Sequence, residues 1–174
     1  MSVPDNIILG DGVFSVGSSS STATAIALTR GGGKFTVKRE MRQIEADGDY
    51  GPVKDRIRLV KEVATLMMKN LEIVASAFAS YFPMISLTST TTLHTLTSRG
   101  FTSTLTSTDY TYCQWAGYTK TGKAVVIVLN QAVNLEDIDW ELQDKEEVIN
   151  QLTYSAVYLE TARNTAPWYV TYAV

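Results

Sequence analysis

Along several stretches of this chain apolar and polar side chains change places at every residue, and that two-residue period commits most of it to strands. From Lys34 to Ile44, Phe35, Val37 and Met41 fall on one side and Lys34, Thr36, Lys38, Glu40 and Arg42 on the other, interrupted only by Arg39. From Leu135 to Leu142, Ile138, Trp140 and Leu142 oppose Asp137, Asp139 and Glu141. From Val148 to Leu159, Leu152, Tyr154, Ala156 and Tyr158 are in phase. A further strand is expected from Lys54 to Met68, with Ile57 and Leu59 in phase and a change of phase near Val60. The many Thr, Val, Ile and Tyr residues suit the same pleated, half-buried surface. The expected fold class is mainly β.

The punctuation between these stretches sets their order. Residues up to about Val16 read as an N-terminal arm, and Ser18–Ser21 as a loop feeding a short strand, Ala25–Leu28. Gly31, Gly32 and Gly33 read as a hinge before the next strand, and Glu45–Pro52 as a turn-rich loop. Tyr110–Tyr118 and Ala124–Leu129 flank Thr119–Lys123, a hairpin with Gly122 in its turn. One helix is expected over about 70–82: Asn70 serves as N-cap, Leu71, Val74, Ala75, Phe78 and Phe82 recur at helical spacing, and Pro83 stops it. Residues 85–108 are mostly Thr and Ser, with Leu87, Leu93, Leu96, Phe101 and Leu105 among them; a β-hairpin and a mobile loop both fit. A tail with Pro167 and Trp168 closes the chain. At 174 residues this is the size of one domain, 1–174, able to bury a core without a metal or disulfide staple.

Catalytic apparatus is sparse. One cysteine, Cys113, and one histidine, His94, exclude an internal disulfide, a Cys-based zinc site and a His-pair metal motif. A nucleophilic mechanism would need His94 as base, yet no Gly-x-Ser-x-Gly elbow occurs, and Thr92-Leu93-His94-Thr95 reads as an ordinary polar strand or loop. Cys113, between Tyr112 and Gln114, reads as a small buried hydrophobe. Gly31-Gly32-Gly33-Lys34 fails as a phosphate loop, because Phe35 follows the lysine and Leu28 stands where the first glycine is required. Asp47-Gly48-Asp49 lacks the remaining ligands of a calcium loop and reads as a solvated turn. No enzyme, cofactor or metal is expected. The N-terminus carries neither the basic nor the apolar stretch of an export signal, and Lys69, Asn70 and Glu72 interrupt Val63–Phe82, so no membrane span is expected.

Charge is uneven. Residues 30–72 hold 10 of the 15 basic side chains against 7 acidic ones, whereas residues 134–160 hold 8 acidic side chains and Lys145 alone as a base. The formal net charge of −3 argues against binding a nucleic-acid backbone. Two differently solvated faces account for the division; so does attraction between copies head to tail.

The order and spacing of particular segments resembles one family. These are Gly31-Gly32-Gly33-Lys34-Phe35-Thr36-Val37-Lys38-Arg39-Glu40, then Ile44-Glu45-Ala46-Asp47-Gly48-Asp49-Tyr50-Gly51-Pro52-Val53-Lys54. Val63-Ala64-Thr65-Leu66 and the helix from Asn70 follow. Leu135-Glu136 through Asp144-Lys145-Glu146-Glu147-Val148 and the closing Ala166-Pro167-Trp168 complete them. Together they cover about half the chain and resemble the tail tube proteins (major tail proteins) of long, non-contractile-tailed bacteriophages. The Thr-rich stretch 85–108 matches least.

That resemblance implies a β-sandwich or partly closed β-barrel with a flanking helix and long loops. It implies rings of six copies formed by joining sheets, stacked into a hollow tube that guides the genome from capsid to host. Implied partners are copies of itself, tape-measure, tail-tip and terminator proteins, and DNA passing without specific binding. The place of action would be the virion tail, assembled in the host cytoplasm. Secretion-system tube proteins share that fold, and the family has no catalytic residues to transfer. An acidic lumen would let phosphates slide, so Asp137, Asp139 and Glu141, with Glu136, are the lumen candidates. The loop 45–55, with Glu45, Asp47, Asp49, Tyr50, Lys54 and Asp55, and the N-terminal arm are the inter-ring candidates. Two other classes stay open: a virion decoration or receptor-binding β-domain, and a small-ligand barrel with or without hydrolase activity.

Overall fold

The computed structural model describes residues 7–26, 29–71, 74–100, 104–142 and 144–173. In chain order its elements are β1 (Ile8–Gly17), β2 (Thr24–Ala25), β3 (Thr29–Gln43), β4 (Ile57–Asn70), α1 (Ala75–Tyr81), β5 (Ile85–Ser89) and β6 (His94–Ser98). Then come β7 (Thr111–Thr119), β8 (Ala124–Asn134), β9 (Asn150–Ala156) and β10 (Trp168–Tyr172). The chain is mainly β. One sheet of eight strands, ordered β2-β1-β7-β8-β9-β4-β3 with β10 also paired to β8, curls into a half-barrel; β5 and β6 form a separate two-stranded sheet. Of the two forms expected, it is the partly closed barrel.

Alternation decides which side of the curl is filled. Ala64, Leu66, Met68 and Asn70 of β4 face inward at every second residue, as do Leu152, Tyr154 and Ala156 of β9, and all are buried. Phe14, Trp115, Val125 and Leu129 join them in one core, and each large apolar side chain buried there contributes about 1.5–3 kcal/mol. Two glycines make room for Trp115: a Cβ on Gly12 would lie 2.3 Å from the indole, and one on Gly117 would lie 2.4 Å away. The two residues are cross-strand partners in β1 and β7, so the ring lies against both.

The β7–β8 hairpin forms where expected, closed by Gly122 at φ 80° and by Thr119 N–H donating to Lys123 O at 2.8 Å. The outer edge of β8 is divided. Its residues 132–134 pair with β9, while 125–129 pair with β10. The gap between these branches is bridged by Trp168, whose Nε1 donates to Glu62 Oε1 at 2.8 Å and whose ring stands 5.6 Å from that of Phe35.

Several sequence expectations change. The arm up to Val16 is instead β1 from Ile8 onward, paired along β7, because Phe14 and Val16 have a core to enter; residues 1–6 lie outside the described residues. Gly31–Gly33 lie inside β3, where an irregularity between Thr29 and Gly33 absorbs them, rather than forming a hinge. Asn70 ends β4 and does not cap the helix; Val74 holds that position without a side-chain hydrogen bond, and α1 is only 7 residues long. The short strand at 25–28 is reduced to β2, with 27 and 28 outside the described residues. The phase change near Val60 is a β-bulge: Glu40 pairs with Lys61 and Met41 with Leu59, leaving Val60 over. The strand expected at 135–142 does not form, and the segment runs exposed without ladder partners.

Candidate functional site

The long β3–β4 hairpin outgrows its support. β4 pairs with β9 only through Thr65–Asn70, so the outer half of the hairpin continues past the sheet as a two-stranded ribbon. Met41, expected inside with Phe35 and Val37, is therefore 55% exposed, although Phe35 and Val37 do pack on the core. Across the ribbon Met41 faces Leu59 and Gln43 faces Ile57, which puts Met41, Leu59 and Ile57 on one face. Lys38, Arg42, Arg58 and Lys61 lie on the other with Glu40. The ribbon is thus amphipathic as its alternation indicates, but the side that carries Met41, Leu59 and Ile57 is left uncovered.

At the ribbon tip, residues 44–56 turn the chain. The inter-ring candidates all sit here, but they are not equivalent. Asp49 is turned inward, its Oδ2 accepting from Ala46 N–H at 2.8 Å and from Arg56 Nη1 at 2.7 Å. Glu45 accepts from Gln43 Nε2 at 3.2 Å. Asp55 takes a left-handed conformation, φ 69°, beside Lys54 in a tight turn. Asp47 is exposed, and Tyr50 is fully exposed.

The lumen candidates Glu136, Asp137, Asp139 and Glu141 are also all exposed. With no strand at 135–142 they do not share a sheet face in the single subunit. The segment is fastened at three points: Asn134 Oδ1 accepts from Glu136 N–H at 3.1 Å, Trp140 packs edge-on against Phe78 at 5.6 Å, and Arg30 Nη1 meets Glu147 Oε2 at 2.6 Å. Between those points Leu135, Ile138 and Leu142 are exposed.

Glu62 is the half-buried electrostatic hub of the inner face, its side chain 11% exposed. The indole N–H of Trp168 and the guanidinium of Arg39, 2.7 Å away, hold its carboxyl below the ordinary value against the opposing effect of burial. Asp109 plays the same part for the Thr-rich excursion, which is a β5–β6 hairpin and not a loose loop; residues 101–103 lie outside the described residues. Burial pushes Asp109 up, but the backbone N–H groups of Thr106 and Met84, the Thr106 hydroxyl and the Arg99 guanidinium outweigh it and hold the carboxyl down. The aspartate thereby ties the base of that hairpin to the chain entering β7. Neither bridge was visible in the sequence, since each joins residues remote from any motif.

The residues weighed for catalysis are not brought together. Cys113 is fully buried and its thiol is pushed up by desolvation; His94 is exposed on β6, its Nδ1 2.8 Å from Ser89 Oγ. No group of three His, Cys, Asp or Glu among the described residues is placed to hold a metal ion. An apolar cleft of about 390 Å³ opens at the mouth of the half-barrel, lined by Ile8, Leu9, Phe35, Ile127 and Val170, with Lys34 its one polar side chain. Such a lining can bury an apolar group, with Lys34 as its one ionisable side chain. No described helix is long and apolar enough to cross a membrane. No known family and no curated protein matches this chain in sequence.

Proposed function

We propose that this chain is a self-assembling structural subunit, one that forms rings stacked into the tube of a bacteriophage tail and so lines a conduit for genome ejection. The observation that carries the self-assembly is the unsupported ribbon. An exposed edge strand of 15 residues beside exposed Met41, Leu59 and Ile57 is an aggregation hazard in a subunit meant to stay alone, and a docking element in one meant to associate. The phage reading adds the resemblance of residues 31–40, 44–54, 63–66, the helix expected from Asn70, 135–148 and 166–168 to tail tube proteins. On this reading the partners are copies of the chain and other tail proteins, and the place of action is the virion tail. A related tube in a bacterial secretion device draws on the same features.

The test is negative-stain electron microscopy of the purified protein across a concentration series. Hollow tubes with a regular axial repeat, or stacked rings, are the expected result. Closed trimers at every concentration would overturn the proposal in favour of a decoration or receptor-binding domain. In that case the exposed Ser/Thr hairpin β5–β6 would be the surface to examine next.

A further inference from the structure

We propose that the acidic segment Leu135–Leu142 of one copy adds as a strand to the free outer edge of β3 in a second copy. The inference rests on the self-association part of the reading above and supplies its interface. Three observations carry it.

First, the segment has the alternation of a strand but no strand to pair with. Leu135 is 67% and Leu142 77% exposed, as costly an arrangement in an isolated subunit as it is cheap beside a partner. Second, β3 ends the sheet, so the outer edge of the ribbon has hydrogen-bonding groups and no neighbouring strand among the described residues. A strand laid on that edge with Ile138, Trp140 and Leu142 on the side of Met41, Leu59 and Ile57, where Arg39 and Gln43 also lie, sets Asp137, Asp139 and Glu141 on the side of Lys38, Arg42, Arg58 and Lys61, four cations with Glu40 as their one carboxylate. Cations on an edge strand ordinarily keep other strands away; an incoming strand with carboxylates at alternate positions turns that exclusion into selectivity.

Third, the subunit holds the segment away from its own ribbon. Trp140 packs on Phe78, and Glu147 meets Arg30, whose neighbour Thr29 is paired with Asn70. Leu59 is eleven residues back along β4 from Asn70, about 36 Å at strand rise. A subunit fastened in this way presents the segment towards one end and the ribbon tip at the other, so the contact between copies is head to tail. Such contacts do not close in a pair; they propagate into rings or filaments. The carboxylates Asp137, Asp139 and Glu141 then serve the contact between copies and not the lumen.

The experiment is a charge swap with a cross-link. The triple variant D137K/D139K/E141K should lower the assembled fraction at least about tenfold, K38E/R42E/R58E should do the same, and mixing the two should restore assembly. All six residues are exposed, and thermal melts of each variant establish that it folds. Separately, chains carrying cysteine in place of Asp137, Asp139 or Glu141 are mixed with chains carrying cysteine in place of Lys38, Glu40 or Arg42 and oxidised. Buried Cys113 stays silent, and disulfide-linked pairs should appear in the mixtures well above either set alone. Tubes that survive both charge reversals without cross-linking would overturn the interface while leaving the tube reading standing. Cross-linked oligomers that never become tubes would support the interface and sink the tube. A chain that stays monomeric at every concentration, with no cross-link, overturns both.

Discussion

Replacing Gly12 or Gly117 by alanine should destabilise the subunit, against the usual rule for strands. A glycine with an ordinary φ that becomes alanine normally gains about 0.4–1 kcal/mol, because the unfolded chain has less freedom to lose. Neither glycine has a positive φ, so that gain applies to both. It is outweighed by contact: the new methyl would sit 2.3 Å from the Trp115 ring at Gly12 and 2.4 Å at Gly117, with Asp11 O a further 2.9 Å away in the second case. The obstacle is a rigid ring only 8% exposed, not the free end of a long side chain. Overpacking of this kind costs about 1–3 kcal/mol. Taking away the unfolded-state gain leaves a net loss of about 1–2 kcal/mol, or roughly 2–8 °C in Tm for a chain of this size.

The control lies two residues away. Gly10 has nothing within 4 Å of its added Cβ, so Gly10→Ala should be neutral or slightly stabilising. Urea unfolding monitored by far-ultraviolet circular dichroism, with equal m-values across the series, gives the three differences. In a Trp115→Leu background the cost of Gly117→Ala should shrink by about 1 kcal/mol, since the two sites share one volume. If Gly12→Ala and Gly117→Ala behave like Gly10→Ala, the ring does not lie where the structure puts it, and the account of the core at this end is wrong.

Three further outcomes are expected. Glu62 has a depressed carboxyl in the folded chain, so the unfolded state takes up its proton first as pH falls; its contribution is complete above about 4.5 and is lost as pH drops through the folded value. Glu62→Gln should cost about 1 kcal/mol at pH 7 and flatten that acid limb in urea titrations from pH 7 to 3; an unchanged acid limb would count against the bridge. Asp109→Asn should raise hydrogen–deuterium exchange across Ile85–Ser98 by about tenfold or more while leaving the eight-stranded sheet protected, because it removes charge-assisted bonds at one point only. Equal loosening of both sheets would refute the local role. Cys113 should resist iodoacetamide at pH 8 in the folded protein and react promptly once unfolded in urea, read by intact mass; rapid native labelling would contradict its burial.

What could be read in advance depended on how far apart the deciding residues lie. The β7–β8 hairpin, the strand at Asn150–Ala156 and the bulge at Val60 were legible because turn chemistry and phase are local properties. Met41 reads as part of the buried face because it falls in phase with Phe35 and Val37; its exposure follows from β9 stopping at Ala156, which nothing near Met41 records. Residues 135–142 carry an equally clean pattern and yet form no strand, since a strand needs a neighbour and the subunit supplies none there. The acidic and basic divisions of the chain were visible as counts, whereas the pairing of β9 with β4 that sets them side by side, and the Arg30–Glu147 contact between them, required the structure. The tip loop was anticipated as a unit, but the inward turn of Asp49 depends on Arg56 folding back upon it.

The strand order also has a consequence in time. Phe14 lies opposite Trp115 and Leu66 opposite Tyr154, pairs separated by about a hundred and about ninety positions. Hairpins such as β3–β4 close within microseconds, while a sheet completed by such distant pairings takes milliseconds to seconds. The ribbon is consequently among the first parts of the chain to form and exists before the core that anchors it. If copies associate through that edge as proposed above, the edge meets half-finished neighbours during that interval as readily as complete ones, and the yield of correct assemblies becomes a race, lost at high synthesis rates and won when chains finish folding before they meet.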